Sequence, residues 1–285
     1  MNTLKIAIQK SGRLNEDSLR LLRSCGIAVD NGTDQLKVTT PNFPLEIFHL
    51  RNSDIPQYLE DGVVDVGIIG ENLLVESGSN VRVVERLGFA RCRLSLAIPK
   101  SAVGSEVSYF EGRKIATSYP NTTSAYLRSK NVVAEIHEIS GSVEIAPNIG
   151  LADGICDLVS SGSTLFKNNL KEIETVATSE AVLACAPIIT ETAKEILDKL
   201  LFRIKAVQRA KNSKYILLNV PNEKIAAVSS ILPVLKSPTV LPLSEPGWSS
   251  LHSVIDEQKF WDVIDELKRA GAEDILIVPI DKMVL

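Results

Sequence analysis

The segment Asp157-Leu158-Val159-Ser160-Ser161-Gly162-Ser163-Thr164-Leu165 runs an apolar strand straight into four hydroxyl residues around a glycine. Such a loop can cradle a phosphate. Gly162 lets the backbone approach, the amides of a following helix start face the anion, and the hydroxyls of Ser160, Ser161, Ser163 and Thr164 add donors. The same composition also suits a plain serine-rich turn that caps a helix. Nearby acids bear on the choice: Asp153 and Asp157 lie four residues apart just before the loop, and Glu144 lies upstream in Gly141-Ser142-Val143-Glu144-Ile145-Ala146-Pro147. A carboxylate beside a bound phosphate is repulsive unless it accepts hydrogen bonds from sugar hydroxyls or meets Mg²⁺, which bridges carboxylates and phosphates. The alternative for Asp153 is an exposed acid in a helix and turn.

Cations are available elsewhere. Gln9-Lys10-Ser11-Gly12-Arg13 puts a lysine and an arginine after the first apolar strand, at the edge where an α/β cleft opens. A planar fork and a point charge suit a polyphosphate, although basic surface turns are common. Arg51 follows a second strand, and Glu71 and Asn72 follow the strand ending Ile68-Ile69-Gly70; each could equally cap a helix. The sequence holds no Ser-His-Asp arrangement, metal-ligand cluster or Walker motif, so covalent nucleophilic catalysis is not indicated. His49, His137 and His252 are scattered and read as structural or surface residues, and Trp248 and Trp261 as packing groups.

These residues must be held by a substantial fold. A chain of 285 residues with 45% hydrophobic content can bury a core in two or three domains. A net charge of -4 with both signs interspersed provides no field for gathering nucleic acid or a membrane. The opening apolar run is interrupted at Lys5 and turns polar at Gln9, too short for a signal peptide or membrane span, so a cytoplasmic location is expected. Cys25, Cys92, Cys156 and Cys185 are far apart and read as buried reduced thiols.

Periodicity predicts strands at 4–8, 44–50, 63–69, 93–98, 114–117, 134–138, 155–159 and 181–185. It predicts helices from Asn15 as cap, over 54–60, near Thr122, near Ile149 and over 191–211. Alternating β and α units imply an α/β fold with its ligand site in a cleft between lobes. The final stretch reads strand 215–220, helix 222–235, strands 240–243 and 249–255, helix 260–270 and strand 275–280. This βαββαβ order is a ferredoxin-like module. The expected division is 1–90 plus 178–211 for one catalytic lobe, 91–177 for the second, and 212–285 for the ferredoxin-like domain.

Several blocks in this order carry a resemblance across the whole chain: Ile8-Gln9-Lys10-Ser11-Gly12-Arg13-Leu14, residues 62–72, Ala116-Thr117-Ser118-Tyr119-Pro120, residues 141–147 and 150–165, and Ser237-Pro238-Thr239 ahead of Leu241-Pro242-Leu243. The chain resembles the long form of the ATP phosphoribosyltransferase family. That resemblance implies a two-lobed core like a periplasmic binding protein, followed by a regulatory domain that binds histidine, assembled from dimers into hexamers. It implies transfer of the phosphoribosyl group of phosphoribosyl pyrophosphate (PRPP) to N1 of ATP, with Mg²⁺ and release of pyrophosphate, opening histidine biosynthesis. Residues Ser160 to Thr164 would take the 5-phosphate, and Asp153 and Asp157 would face the ribose or metal. Lys10, Arg13 and Arg51 would meet the pyrophosphate and triphosphate, with Glu144, Glu71 and Tyr119 as further substrate contacts. Asn219, Leu235, Ser237, Thr239 and Asp274 match the histidine positions. Relatives often carry Thr and Ala where this loop has Ser161 and Ser163.

Overall fold

The computed structural model describes residues 3–29, 36–232 and 237–284. The chain divides into two compact units, Met1–Asp198 and Lys199–Leu285.

The first unit opens with β1 (Leu4–Gln9), whose Leu4, Ile6, Ala7 and Ile8 are fully buried. Gly12, at φ +87°, turns the chain sharply enough that α1 (Arg13–Ser24) begins before the expected cap. Asn15 therefore sits inside the helix. Its amide donates back to the Gln9 carbonyl at 2.5 Å, tying α1 to the end of β1. Then follow β2 (Lys37–Thr39), β3 (Leu45–Leu50), α2 (Ile55–Glu60), β4 (Val66–Gly70), α3 (Glu71–Ser77) and β5 (Arg82–Arg86).

The chain next builds β6 (Cys92–Pro99), β7 (Lys114–Thr117), α4 (Pro120–Ser129), β8 (Glu135–Glu138), β9 (Gly154–Val159), α5 (Ser163–Lys167) and β10 (Leu170–Ser179). After Glu180 it returns to the first sheet as β11 (Ala181–Cys185), then enters α6 (Glu191–Lys211), in which the boundary at Asp198 falls. The first sheet has the order β2-β3-β1-β4-β11-β5, and the second β10-β6-β9-β7-β8. In the first, β3, β1 and β4 are parallel while β11 runs antiparallel between β4 and β5. Ile68, Ile69, Val182 and Leu183 are wholly buried there, as expected for central strands covered on both faces.

Three strands lack the apolar run that sequence reading depends on. The short β2 is one. The charged β5 closes one edge of the first sheet, and β10, carrying Lys171, Glu172 and Glu174, closes one edge of the second. Edge strands have a solvated side, so charge is tolerated along them. The helix expected near Ile149 is only a 3₁₀ turn over Pro147–Ile149, ended by Gly150 in the left-handed region.

The second unit contains β12 (Ser213–Pro221), α7 (Ile225–Ile231), β13 (Thr239–Pro242), β14 (Trp248–Asp256), α8 (Glu257–Ala270) and β15 (Glu273–Pro279). Its antiparallel sheet has the order β13-β14-β12-β15, the arrangement of the ferredoxin-like βαββαβ module. Alternate residues Ile216, Leu218 and Val220 of β12 pack with Leu251 and Ile255 against Val228, Phe260 and Leu267 of the helices. Asp256 caps α8 by accepting from the Gln258 and Lys259 amides, and Gly271 at φ +102° ends it. Helix α7 is shorter than the periodicity suggested, and Leu235 lies outside the described residues. Trp248 is half-buried, and Trp261, 71% exposed, packs edge-on against Phe260 at the surface rather than in the core.

Candidate functional site

The hydroxyl loop lies at the carboxyl end of β9, a central strand of the second sheet. Ile155, Asp157 and Val159 alternate onto one face of that strand. Ile155 and Val159 pack there with Val143 and Ala146 of the turn over Val143–Ile145 and with Leu165 of α5. The same turn carries Glu144, whose charge acts on the Asp157 carboxyl. Beyond Val159 the chain bends through Gly162, at φ +78°, where a Cβ would meet nothing within 4 Å. The glycine is thus required by its backbone conformation, with no crowding involved.

A cavity of about 520 Å³ is lined by Arg13, Glu144, residues Asp157 to Thr164, and Leu165. Ser160, Ser161, Ser163 and Thr164 are exposed, and the Ser161 hydroxyl lies 3.1 Å from that of Ser163. Burial is the main cause that holds the Asp157 carboxyl above the ordinary carboxylate range; the hydrogen bond from the Leu158 amide opposes this, and the Glu144 charge adds to it. One wall of the cavity is therefore rich in hydroxyl and amide donors and the other carries two acids. Such a pairing can hold a phosphate at one end and hydroxyls or a hydrated cation at the other.

Lys10 and Arg51 emerge side by side at the carboxyl ends of the parallel strands β1 and β3, where the Lys10 amide donates to the Leu50 carbonyl at 2.7 Å. Both are exposed, and among the described residues neither they nor Arg13 is ion-paired with a carboxylate.

Three expected site residues are placed elsewhere. Asp153 precedes β9 and is separated from the loop by the whole strand, roughly 20 Å at about 3.3 Å per residue. Its carboxylate accepts from the Lys114 amide at 2.9 Å and lies 3.9 Å from Arg113. The extended strand between Asp153 and Asp157 keeps the two acids apart despite their four-residue spacing. Glu71 forms a two-pronged pair with Arg86 at 2.5 and 2.7 Å and lines a different cavity with Asn72, Thr122 and Ser179. Tyr119 is buried in the joint between α3 and α4, where its hydroxyl accepts from the Asn72 amide at 3.2 Å. Burial first, and the Asp157 charge second, push its phenol up to about 12.

Two interactions escaped the sequence reading. Arg93 of β6 donates to both carboxylate oxygens of Glu172 on β10 and also to the Ser160 carbonyl at 3.3 Å. Glu76 of α3 caps α4 from outside that helix. Neither lies in a local motif; each pair is brought together by strand or helix packing across long sequence separations.

Each histidine has a partner within the protein. His49 lies 3.4 Å from the Asn15 amide and burial lowers its pKa; His137 pairs with Glu135; His252 lies between Tyr215 and Ser250. Cys25, Cys156 and Cys185 are buried thiols, while Cys92 is only half-buried. In the second unit, Asn219 of β12 donates to Asp274 at 3.1 Å, and Asp274 holds a left-handed φ of +48° at the start of β15. Ser237 and Thr239 are exposed at the entry to β13. Among the described residues, no group of three or more His, Cys, Asp or Glu could hold a metal, and no helix is long and apolar enough to cross a membrane.

Comparison with known proteins accounts for this arrangement. The ATP phosphoribosyltransferase (HisG) family profile matches residues 51–206, and the HisG C-terminal domain profile matches 210–282. A Cytophaga hutchinsonii protein named ATP phosphoribosyltransferase is 55% identical over 281 residues, covering 99% of this chain and 98% of its own. One of the same name from Phocaeicola vulgatus is 51% identical over 282 residues, covering 99% and 100%. Among solved structures, the ATP phosphoribosyl transferase (HisG:HisZ) complex from Thermotoga maritima aligns at TM-score 0.62 with 30% identity, over 71% of this chain and 96% of that one. A periplasmic sulfonate-binding protein from Methylobacillus flagellatus aligns at TM-score 0.50 with 17% identity, over 71% and 67%, a likeness of fold alone.

The chain is a pentosyltransferase with a core of the periplasmic-binding-protein type. It belongs to the ATP phosphoribosyltransferase family, in the long form that carries the C-terminal domain, and that family catalyses the first step of histidine biosynthesis.

Proposed function

We propose that this chain transfers the 5-phosphoribosyl group of PRPP to N1 of ATP, giving N1-(5-phospho-β-D-ribosyl)-ATP and pyrophosphate, and that histidine inhibits it. The observation that carries the reaction is the cavity in which the Ser160–Thr164 loop and Arg13 meet Asp157 and Glu144. The loop takes the 5-phosphate through its amides and hydroxyls. Asp157 accepts from the ribose hydroxyls and stabilises the positive charge that develops at the anomeric carbon as pyrophosphate departs. Arg13, with Lys10 and Arg51 at the neighbouring sheet edge, stabilises the phosphate groups of the two substrates. N1 of adenine carries no proton, so attack requires no general base. Much of the rate enhancement comes from holding two anions in line.

Two acids facing one cavity fit a hydrated Mg²⁺, with Asp157 and Glu144 as its protein neighbours and substrate phosphates as its main ligands. When bound, the ion neutralises charge on the departing pyrophosphate. For regulation, the residues are Asn219, Ser237, Thr239 and Asp274, with Leu235 from the segment outside the described residues. Assembly from dimers to a hexamer belongs to the same reading.

Incubation with Mg²⁺, ATP and PRPP should release pyrophosphate, and Ser161→Pro should abolish most of that release while the protein stays folded. Replacing ATP with free bases should give no release. Turnover with a free base, or none with ATP, would overturn the assignment.

A further inference from the structure

The face of the second sheet that carries Asp157 also carries a layer of polar groups. β6 and β9 pair Arg93 with Val159, Ser95 with Asp157 and Ala97 with Ile155, so these residues share one face. Glu172 of β10 reaches the same layer. Its carboxylate accepts from Arg93 Nε at 2.6 Å and Nη2 at 2.5 Å, from the buried Ser95 hydroxyl at 2.8 Å, and from Thr175 at 3.5 Å. Nη1 of Arg93, outside that fork, is aimed at the Ser160 carbonyl at 3.3 Å. Ser160 is the first residue beyond the last β6–β9 pair, where the chain leaves the ladder and enters the loop.

We propose that Arg93 and Glu172 form a neutral brace that positions the hydroxyl loop for the sugar phosphate without either residue touching it. Glu172 occupies the Nε–Nη2 fork, which fixes the guanidinium plane, and Nη1 holds the Ser160 carbonyl toward β6. With that carbonyl turned inward, the loop's following amides and hydroxyls are left to face the cavity. The pair is also balanced electrically. An unpaired Glu172 would place a third acid on the face of Asp157, whereas an unpaired Arg93 would swing free of Ser160 and release the loop. Arg93 is thus a positioning residue whose own charge is already compensated.

This inference rests on the loop being the PRPP phosphate site, and the sign of one substitution separates it from direct phosphate binding by Arg93. Binding of PRPP with Mg²⁺ and of ATP is measured by calorimetry, with steady-state kinetics, for wild type, Arg93→Gln, Arg93→Lys, Glu172→Gln and the Arg93→Gln/Glu172→Gln double variant. Unfolding curves of each confirm a folded protein. The brace predicts that Arg93→Gln and Glu172→Gln each raise Kd and KM for PRPP about tenfold, the loss of one hydrogen bond to a charged group, with ATP binding about unchanged. Arg93→Lys should fall between, because an ammonium cannot span Glu172 and Ser160 together. The double variant should be no weaker than Arg93→Gln. Glu172→Gln that binds PRPP as tightly as wild type, or more tightly, overturns the brace, as does equal loss of ATP and PRPP binding. Wild type that takes up no PRPP instead overturns the functional assignment on which the brace is built.

Discussion

Glu76 caps a helix to which it does not belong: its carboxylate accepts from the Asn121 amide at 2.8 Å, the Thr122 amide at 2.9 Å and the Thr122 hydroxyl at 2.6 Å. The residue at the cap position of α4, Tyr119, makes no side-chain cap. A carboxylate from α3, which follows a strand of the first sheet, thus satisfies the open end of α4, which follows a strand of the second, and Asn72 reinforces the same joint through Tyr119 and Ser179. Glu76→Ala should destabilise the first unit by about 1–2 kcal/mol, the usual cost of losing a cap, and Glu76→Gln by less because one acceptor survives. Urea unfolding of the two variants checks this.

Asp157 should trade stability for turnover. Its folded pKa is raised above the ordinary value of 3.8, so the fold favours the neutral carboxyl. The stabilisation from that preference is complete below the unfolded pKa and is lost as pH rises through the folded one. At neutral pH the ionised group therefore opposes folding. Asp157→Asn should raise Tm at pH 7, with the advantage vanishing in acid, while turnover falls about 10- to 100-fold. A lower Tm at pH 7 would contradict the burial argument.

Two glycines of the β9 region should fail in different ways. At Gly162 an added methyl meets nothing, so Gly162→Ala costs only the left-handed strain of about 1–2 kcal/mol and should raise KM for PRPP in a folded protein. At Gly154 a Cβ would lie 2.6 Å from the Phe110 ring and 2.7 Å from the Ala97 carbonyl. Gly154→Ala should lower stability by about 1–3 kcal/mol through overpacking. Calorimetric unfolding beside steady-state kinetics distinguishes the two.

Regulation should be separable from catalysis. Asp274→Asn keeps a residue tolerant of the left-handed backbone but removes the charge near Asn219. Inhibition by histidine should weaken about tenfold or more while the uninhibited rate stays about the same. A changed basal rate with intact inhibition would refute the assignment of this group.

The alternation of β and α units, the hydroxyl loop and the ferredoxin-like module were legible because each is local: apolar runs, a glycine among serines, caps at fixed offsets. Asp157 and Glu144, close in sequence to that loop, line one cavity with it. Asp153 is close to the loop in sequence but far from it in space, because the strand between them is extended. Arg93 with Glu172, and Glu76 with Thr122, were invisible because 79 and 46 residues separate the partners. Edge strands β5 and β10 were missed for a related reason, since their identity comes from the neighbour they pair with and their own composition is polar.

The insertion of β11 between β4 and β5 bears on synthesis as much as on shape. Strand β4 leaves the ribosome more than a hundred residues ahead of its antiparallel neighbour, and β5 has no other strand to join until that neighbour arrives. The second sheet, complete by Ser179, can close while the first still waits for its missing strand. A released chain truncated just short of Ala181 should therefore protect its second sheet from protease while its first is still cut, inverting the usual amino-terminus-first order.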